Sequence, residues 1–286
     1  MTYFKTTINQ PFLECLECCG KNSEVGMPVE KLWYFGAIPS SRPPVVAIVG
    51  ARHSTEYGED IAYRAAYELA KRGVIIVSGM AYGIDSCAHR GCLDAGGTTI
   101  AVLGTSIDKI YPQSNRELAE RIIKKGAIIS EYAPGFPTKA YCFQARNRIV
   151  SGLADVVLIV EASKKSGTQG TFEFALKQGK DVFAVPGDIT RPMSAGTNEM
   201  LKVANPYTDV SDILISLGLY SGLNNELQLG GLSDIERKVY LAIRESGGNY
   251  EAAAKIVAIP AEDFSRAVTM LEMNGYLDVS ADWTKV

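Results

Sequence analysis

The stretch Val45-Val46-Ala47-Ile48-Val49-Gly50-Ala51-Arg52 decides the fold. Five consecutive apolar residues, three of them valine, end abruptly in Gly-Ala-Arg. An unbroken apolar run of that length marks a strand buried on both faces, as in a parallel sheet with helices above and below. A helical stretch follows, from about Gly58 to Lys71. The same alternation then repeats. Strands are expected at Val74–Val77, Thr98–Leu103, Ala127–Ile129, Asp155–Val160 and Asp181–Val185. Helices are expected near Asp85–Ala95, Asn115–Lys124 and Thr171–Gln178. Strands alternating with helices predict an α/β fold with a doubly wound, mostly parallel, Rossmann-like sheet. Such sheets bind ligands at the carboxyl ends of their strands.

Outward from this core, residues 1–44 read as an N-terminal arm that ends in Pro39-Ser40-Ser41-Arg42-Pro43-Pro44, where no helix can continue. Residues 45–218 form the Rossmann-like domain. Residues 219–231 hold several Gly and Asn without a period and read as a linker. Residues 232–286 show three short helices, near Asp234–Glu245, Tyr250–Val257 and Ala261–Asn274. Gly275 serves as C-cap and Tyr276–Ser280 as a terminal strand. That pattern suits a winged-helix-like domain; a small helical docking domain is the other reading of the same residues.

Hydrophobic residues make up 47% of the 286 positions and charged ones 21%, so a sizeable core is available and disorder is excluded. The net charge of −3 runs against the basic excess usual in nucleic-acid binders. A local basic cluster is still compatible with it, because charges are screened beyond roughly 8–10 Å at cellular salt. Cys15, Cys18 and Cys19 approach metal-ligand spacing, but no second pair follows, and His53 and His89 lie far off in sequence. They read as reduced thiols of a cytoplasmic protein, with no metal and no cofactor. No apolar run approaches the ~18 residues of a membrane span.

Each expected strand ends in a Gly-rich or polar turn. Gly50-Ala51-Arg52 places a forked cation beside a flexible backbone, although the G-x-G-x-x-G dinucleotide fingerprint is absent. Ser78-Gly79-Met80-Ala81-Tyr82-Gly83 precedes a helix and suits an anion, with plain strand-to-helix packing as the alternative. Phe143-Gln144-Ala145-Arg146-Asn147-Arg148, taken as a loop, sets an aromatic beside two arginines. That combination fits single-stranded nucleic acid; a helix start with Phe143 in the core is the alternative. Glu161 to Thr171 brings two lysines, two glycines and four hydroxyls to a further turn. No nucleophile–base pairing or carboxylate cluster is apparent. His89 reads as a structural hydrogen-bonding residue, and Trp33 and Trp283 as packing residues.

Taken in order, these segments resemble the DprA/Smf family (DNA-processing protein A). The resemblance rests on Ala47-Ile48-Val49-Gly50-Ala51-Arg52, Tyr57-Gly58, Ser78-Gly79-x-Ala81-x-Gly83-Ile84-Asp85-x-x-Ala88-His89 and Thr99 to Gly104 with Tyr111-Pro112. It continues through Ile129-Ser130-Glu131-Tyr132, Phe143, Arg146-Asn147-Arg148-Ile149, Val160-Glu161-Ala162, Ser166-Gly167, Val182 to Gly187 and Ser194-x-Gly196-Thr197-Asn198. The resemblance implies a non-enzymatic homodimer. It would bind and protect single-stranded DNA in natural transformation and help load the recombinase RecA. It implies a phosphate pocket of Gly50, Arg52, Ser78, Gly79 and Gly83, with Phe143 stacking on a base. Arg146, Asn147 and Arg148 would hold that loop and its DNA, and Lys139, Lys164, Ser166 and Gly167 would complete the binding edge.

Four features depart from the family pattern. Gln144 stands where the family has proline, only 44 residues precede the sheet, and Val203-Ala204 replaces Gly-Ala. The fourth is the turn Gly167-Thr168-Gln169-Gly170-Thr171-Phe172-Glu173. It resembles that of LOG-type nucleoside monophosphate phosphoribohydrolases, with Glu173 and Arg146 as the residues acting on the ribose bond. That resemblance supplies the alternative, enzymatic reading.

Overall fold

The computed structural model describes residues 2–7, 10–20, 28–219, 232–246, 249–273 and 277. The chain divides into two compact units, Met1–Leu219 and Tyr220–Val286. The first is built on one sheet of nine strands: β1 (Phe4–Thr7), β2 (Lys31–Gly36), β3 (Val45–Val49), β4 (Ile75–Ser78), β5 (Thr99–Leu103), β6 (Ala127–Ser130), β7 (Val156–Ile159), β8 (Asp181–Ala184) and β9 (Asn205–Pro206). Their order in space is β1-β2-β6-β5-β4-β3-β7-β8-β9. In the spatial order from β6 to β9 every pairing is parallel; β2 adds antiparallel to β6, and β1 antiparallel to β2.

The apolar runs explain the core. Every residue of β3, β4, β5, β6 and β7 is buried, as a sheet covered on both faces requires. On one face α1 (Glu56–Lys71), α2 (Ile84–Asp94) and α3 (Arg116–Lys125) pack in succession. On the other lie α4 (Ala140–Leu153) and α5 (Thr168–Lys177). Short helices α6 (Ala195–Met200) and α7 (Val210–Ser216) follow.

Two expectations are corrected here. The segment over 1–44 is no free arm. Its two strands extend the sheet, and its 3-10 helix Glu14–Gly20 packs on α4. Phe12, Leu13 and Leu16 are wholly buried, in one cluster with Val45, Ala47, Val49, Ile149 and Leu153. The second correction concerns the segment expected as a loop after β6, which is instead the fourteen-residue helix α4. Gln144, where the family carries proline, lies inside that helix, where its N–H can join the helical ladder.

In the second unit α8 (Asp234–Glu245), α9 (Tyr250–Val257) and α10 (Ala261–Met273) enclose Val239, Ile243, Phe264 and Leu271. The expected linker beyond Leu219, the Gly275 cap and the terminal strand lie outside the described residues, Leu277 excepted. No helix of the described residues is long and apolar enough to cross a membrane.

Candidate functional site

The chain leaves β3 toward β4 on one side, and later returns through α4 to β7 on the other side of β3. At such a switch point the loops diverge and leave a crevice outside the carboxyl ends of the strands. A cavity of about 570 Å³ opens there. Its walls include Gly50, Arg52 and His53 after β3, Gly79 and Ala81 after β4, Phe143 and Asn147 from α4, and Ser166, Gly167 and Thr168 at the start of α5.

The crevice walls are tied together. The buried Glu161 carboxylate, just past β7, accepts hydrogen bonds from Thr55 N (2.9 Å) and Thr55 Oγ1 (2.5 Å). Thr55 is the N-cap of α1 and accepts from Gly58 N (3.3 Å), so one carboxylate joins the loops after β3 and β7. On the α5 side, Ser166 Oγ accepts from Thr168 N (3.2 Å), and Asn147 Nδ2 donates to Gly167 O (3.2 Å).

The glycines of the expected phosphate pocket serve packing. A Cβ on Gly50 would stand 2.6 Å from Ile84 Cγ1, and one on Gly79 would stand 2.5 Å from Arg146 Nη1. Gly83 caps α2 at a φ of +69°, a conformation that disfavours side chains. Ser78 is wholly buried and its Oγ donates to Ile48 O (2.6 Å). Gly167, by contrast, faces open space.

The two arginines expected to hold DNA are buried. Arg146 is 6% exposed, and its Nη1 donates to Gly79 O (2.6 Å) and to Val102 O. Burial pulls its pKa down to about 10, partly opposed by the Asp85 charge, so it stays charged at neutral pH. Asp85 accepts from Gly79 N (3.1 Å) and Ala81 N (3.2 Å), and burial raises its pKa. His89 Nδ1 pairs with Thr99 Oγ1 (2.8 Å); burial, then the nearby Arg146 charge, drive its pKa to about 3, so the ring is neutral. Arg148 leaves the cavity and pairs with Glu131 (2.6 Å). Two residues apart on one helix, the two side chains leave it on different sides: Arg146 is buried against carbonyls at the ends of β4 and β5, and Arg148 against Glu131.

Arg52, Lys139, Lys164 and Lys165 are exposed, and none enters an ion pair among the described residues. Arg52 lies 5.7 Å from the Phe143 ring centroid. Phe143 is half-buried, with Gly104 and Tyr111 as further neighbours. Tyr111 and Lys165 were not among the expected site residues; an exposed aromatic in a turn, and a second lysine beside the first, were the available signals. The cysteines of the N-terminal segment turn to α4, where Cys19 Sγ lies 3.2 Å from Arg148 O. No cluster suited to a metal ion occurs among the described residues. Glu173 is exposed and does not line the cavity, while Arg146 is committed to backbone carbonyls. The pair that nucleotide hydrolysis would need is not assembled.

Comparison with known proteins fits this geometry. The model of a family described as DNA recombination-mediator protein A matches residues 20–218. The putative DNA processing protein DprA of Mycobacterium tuberculosis is 38% identical over 224 residues, 76% of this chain and 58% of that protein. The DNA processing protein DprA of Streptococcus pneumoniae is 39% identical over 184 residues, 64% of this chain and 65% of that protein. The chain thus spans less than two thirds of the length of these relatives. The X-ray structure of the Streptococcus pneumoniae protein superposes with a TM-score of 0.65 at 33% identity, covering 75% of this chain and 74% of that one. DNA processing protein A from Helicobacter pylori, studied for its single-stranded DNA binding mode, gives 0.66 at 33% identity, covering 76% and 96%. Sheet, motif order and sequence agree, and the chain belongs to the DNA recombination-mediator protein A family, the DprA/Smf proteins.

Proposed function

We propose that this chain binds single-stranded DNA along the carboxyl edge of its sheet, protects it during transformation, and hands it to the recombinase RecA, acting as a homodimer and without turnover. One observation carries the binding: Arg52 lines the cavity at the switch point, and Lys139, Lys164 and Lys165, adjacent in sequence to the lining residues Ala140, Ser163 and Ser166, are exposed and outside any ion pair among the described residues, in a chain whose net charge is −3. The relative studied for its single-stranded DNA binding mode supports the choice of ligand. Arg52, Lys139, Lys164 and Lys165 meet phosphates in this reading, Ser166, Gly167 and Asn147 line the seat, and Arg146 holds it in shape. Fluorescence anisotropy with labelled oligothymidine and a duplex of equal length tests it. Tighter binding of the single strand is expected; equal or tighter duplex binding overturns the reading.

Two further results follow from the phosphate contacts. The logarithm of affinity should fall linearly with the logarithm of salt concentration, by about 0.7 per phosphate neutralised. A flat titration between low and physiological salt removes the electrostatic basis. Arg52→Ala should weaken binding by roughly 1.5–3 kcal/mol, as for a hydrogen bond to a charged group. Its melting temperature should hardly change, since the guanidinium is exposed. Unchanged affinity rejects Arg52 as a contact.

A further inference from the structure

Phe143 has its ring in protein company already. A Cβ on Gly104 would lie 2.6 Å from its Cδ1, the Arg52 guanidinium stands 5.7 Å from its centroid, and the Tyr111 ring is centred 5.5 Å away at 57°. Tyr111 is different. It lies beyond β5, beside the cavity wall, and 47% of it is exposed. Its contact with Phe143 buttresses one side of the ring and leaves an aromatic surface to solvent. Every base has a π-face, so such a surface accepts unpaired bases without reading sequence.

We propose that Tyr111 is a stacking platform for an unpaired base of the strand seated in the cavity, a role that rests on the single-strand reading above. Phe143 then acts as a positioning residue that sets the tilt of Tyr111, and Arg52 sits on the phosphate side of the same nucleotide. A base is the required partner: a bare sugar-phosphate chain has nothing to stack.

The test compares wild type, Tyr111→Ala, Tyr111→Phe and Tyr111→Trp on oligothymidine and on an abasic strand of equal length, at fixed salt. Tyr111→Ala should lose roughly five- to 150-fold affinity for oligothymidine, the range for one stacked base, and keep its affinity for the abasic strand. Tyr111→Phe should bind both as wild type does. Tyr111→Trp should show fluorescence quenching by oligothymidine beyond that of wild type, whose tryptophans are Trp33 and Trp283. Wild-type affinity of Tyr111→Ala for oligothymidine, an equal loss on both strands, or no added quenching in Tyr111→Trp overturns the proposal while leaving single-strand binding intact. If wild type binds neither strand, the single-strand reading fails and this proposal falls with it.

Discussion

Arg146→Ala should destabilise the first unit by about 3–5 kcal/mol, the scale for removing one partner from a buried charged network. Two buried carbonyls, Gly79 O and Val102 O, lose their donor, and Asp85 loses the nearby positive charge. The size of the loss should depend on pH. Burial raises the Asp85 pKa above its ordinary 3.8, and the Arg146 charge opposes that rise. Without Arg146 the folded-state value rises further. A carboxyl with a raised folded-state pKa favours the folded form at low pH and opposes it as pH climbs. The deficit should therefore be largest at neutral pH and shrink toward pH 4. Urea denaturation at both pH values checks this. A wild-type midpoint together with lost DNA affinity would instead make Arg146 a ligand contact.

Leu16→Ala should cost about 2–5 kcal/mol, as for a large buried aliphatic side chain. Leu16 is wholly buried, on the 3-10 helix that packs against α4. A melting temperature lower by roughly 4–20 °C is the expected reading for a unit of this size. An unchanged melt would mean that the N-terminal segment adds nothing to the core.

The parallel strands were legible because each is a short, unbroken apolar run closed by a polar turn. The N-terminal strands were not. Lys31 to Gly36 mixes a charge, aromatics and a glycine, and half-buried positions of this kind follow no clean alternation. Helix α4 was hidden for another reason. Cys142, Ile149, Val150 and Leu153 have helical spacing, but Arg146 occupies the inward position between them and reads in sequence as a solvent-facing cation. Of the candidate site, the exposed cations and the α5 turn could be read from residue type. The roles of Gly50, Gly79 and Ser78 could not, because the neighbours that fill their space, Ile84, Arg146 and Ile48, are distant in sequence.

The Glu161–Thr55 link across the crevice has a kinetic consequence. A seat whose walls are fixed in advance spends little ordering entropy on capture, so that cost falls on the flexible strand. Association should then run near the rate at which the strand reaches the cations by diffusion, and differences among variants at the seat should appear chiefly in residence time.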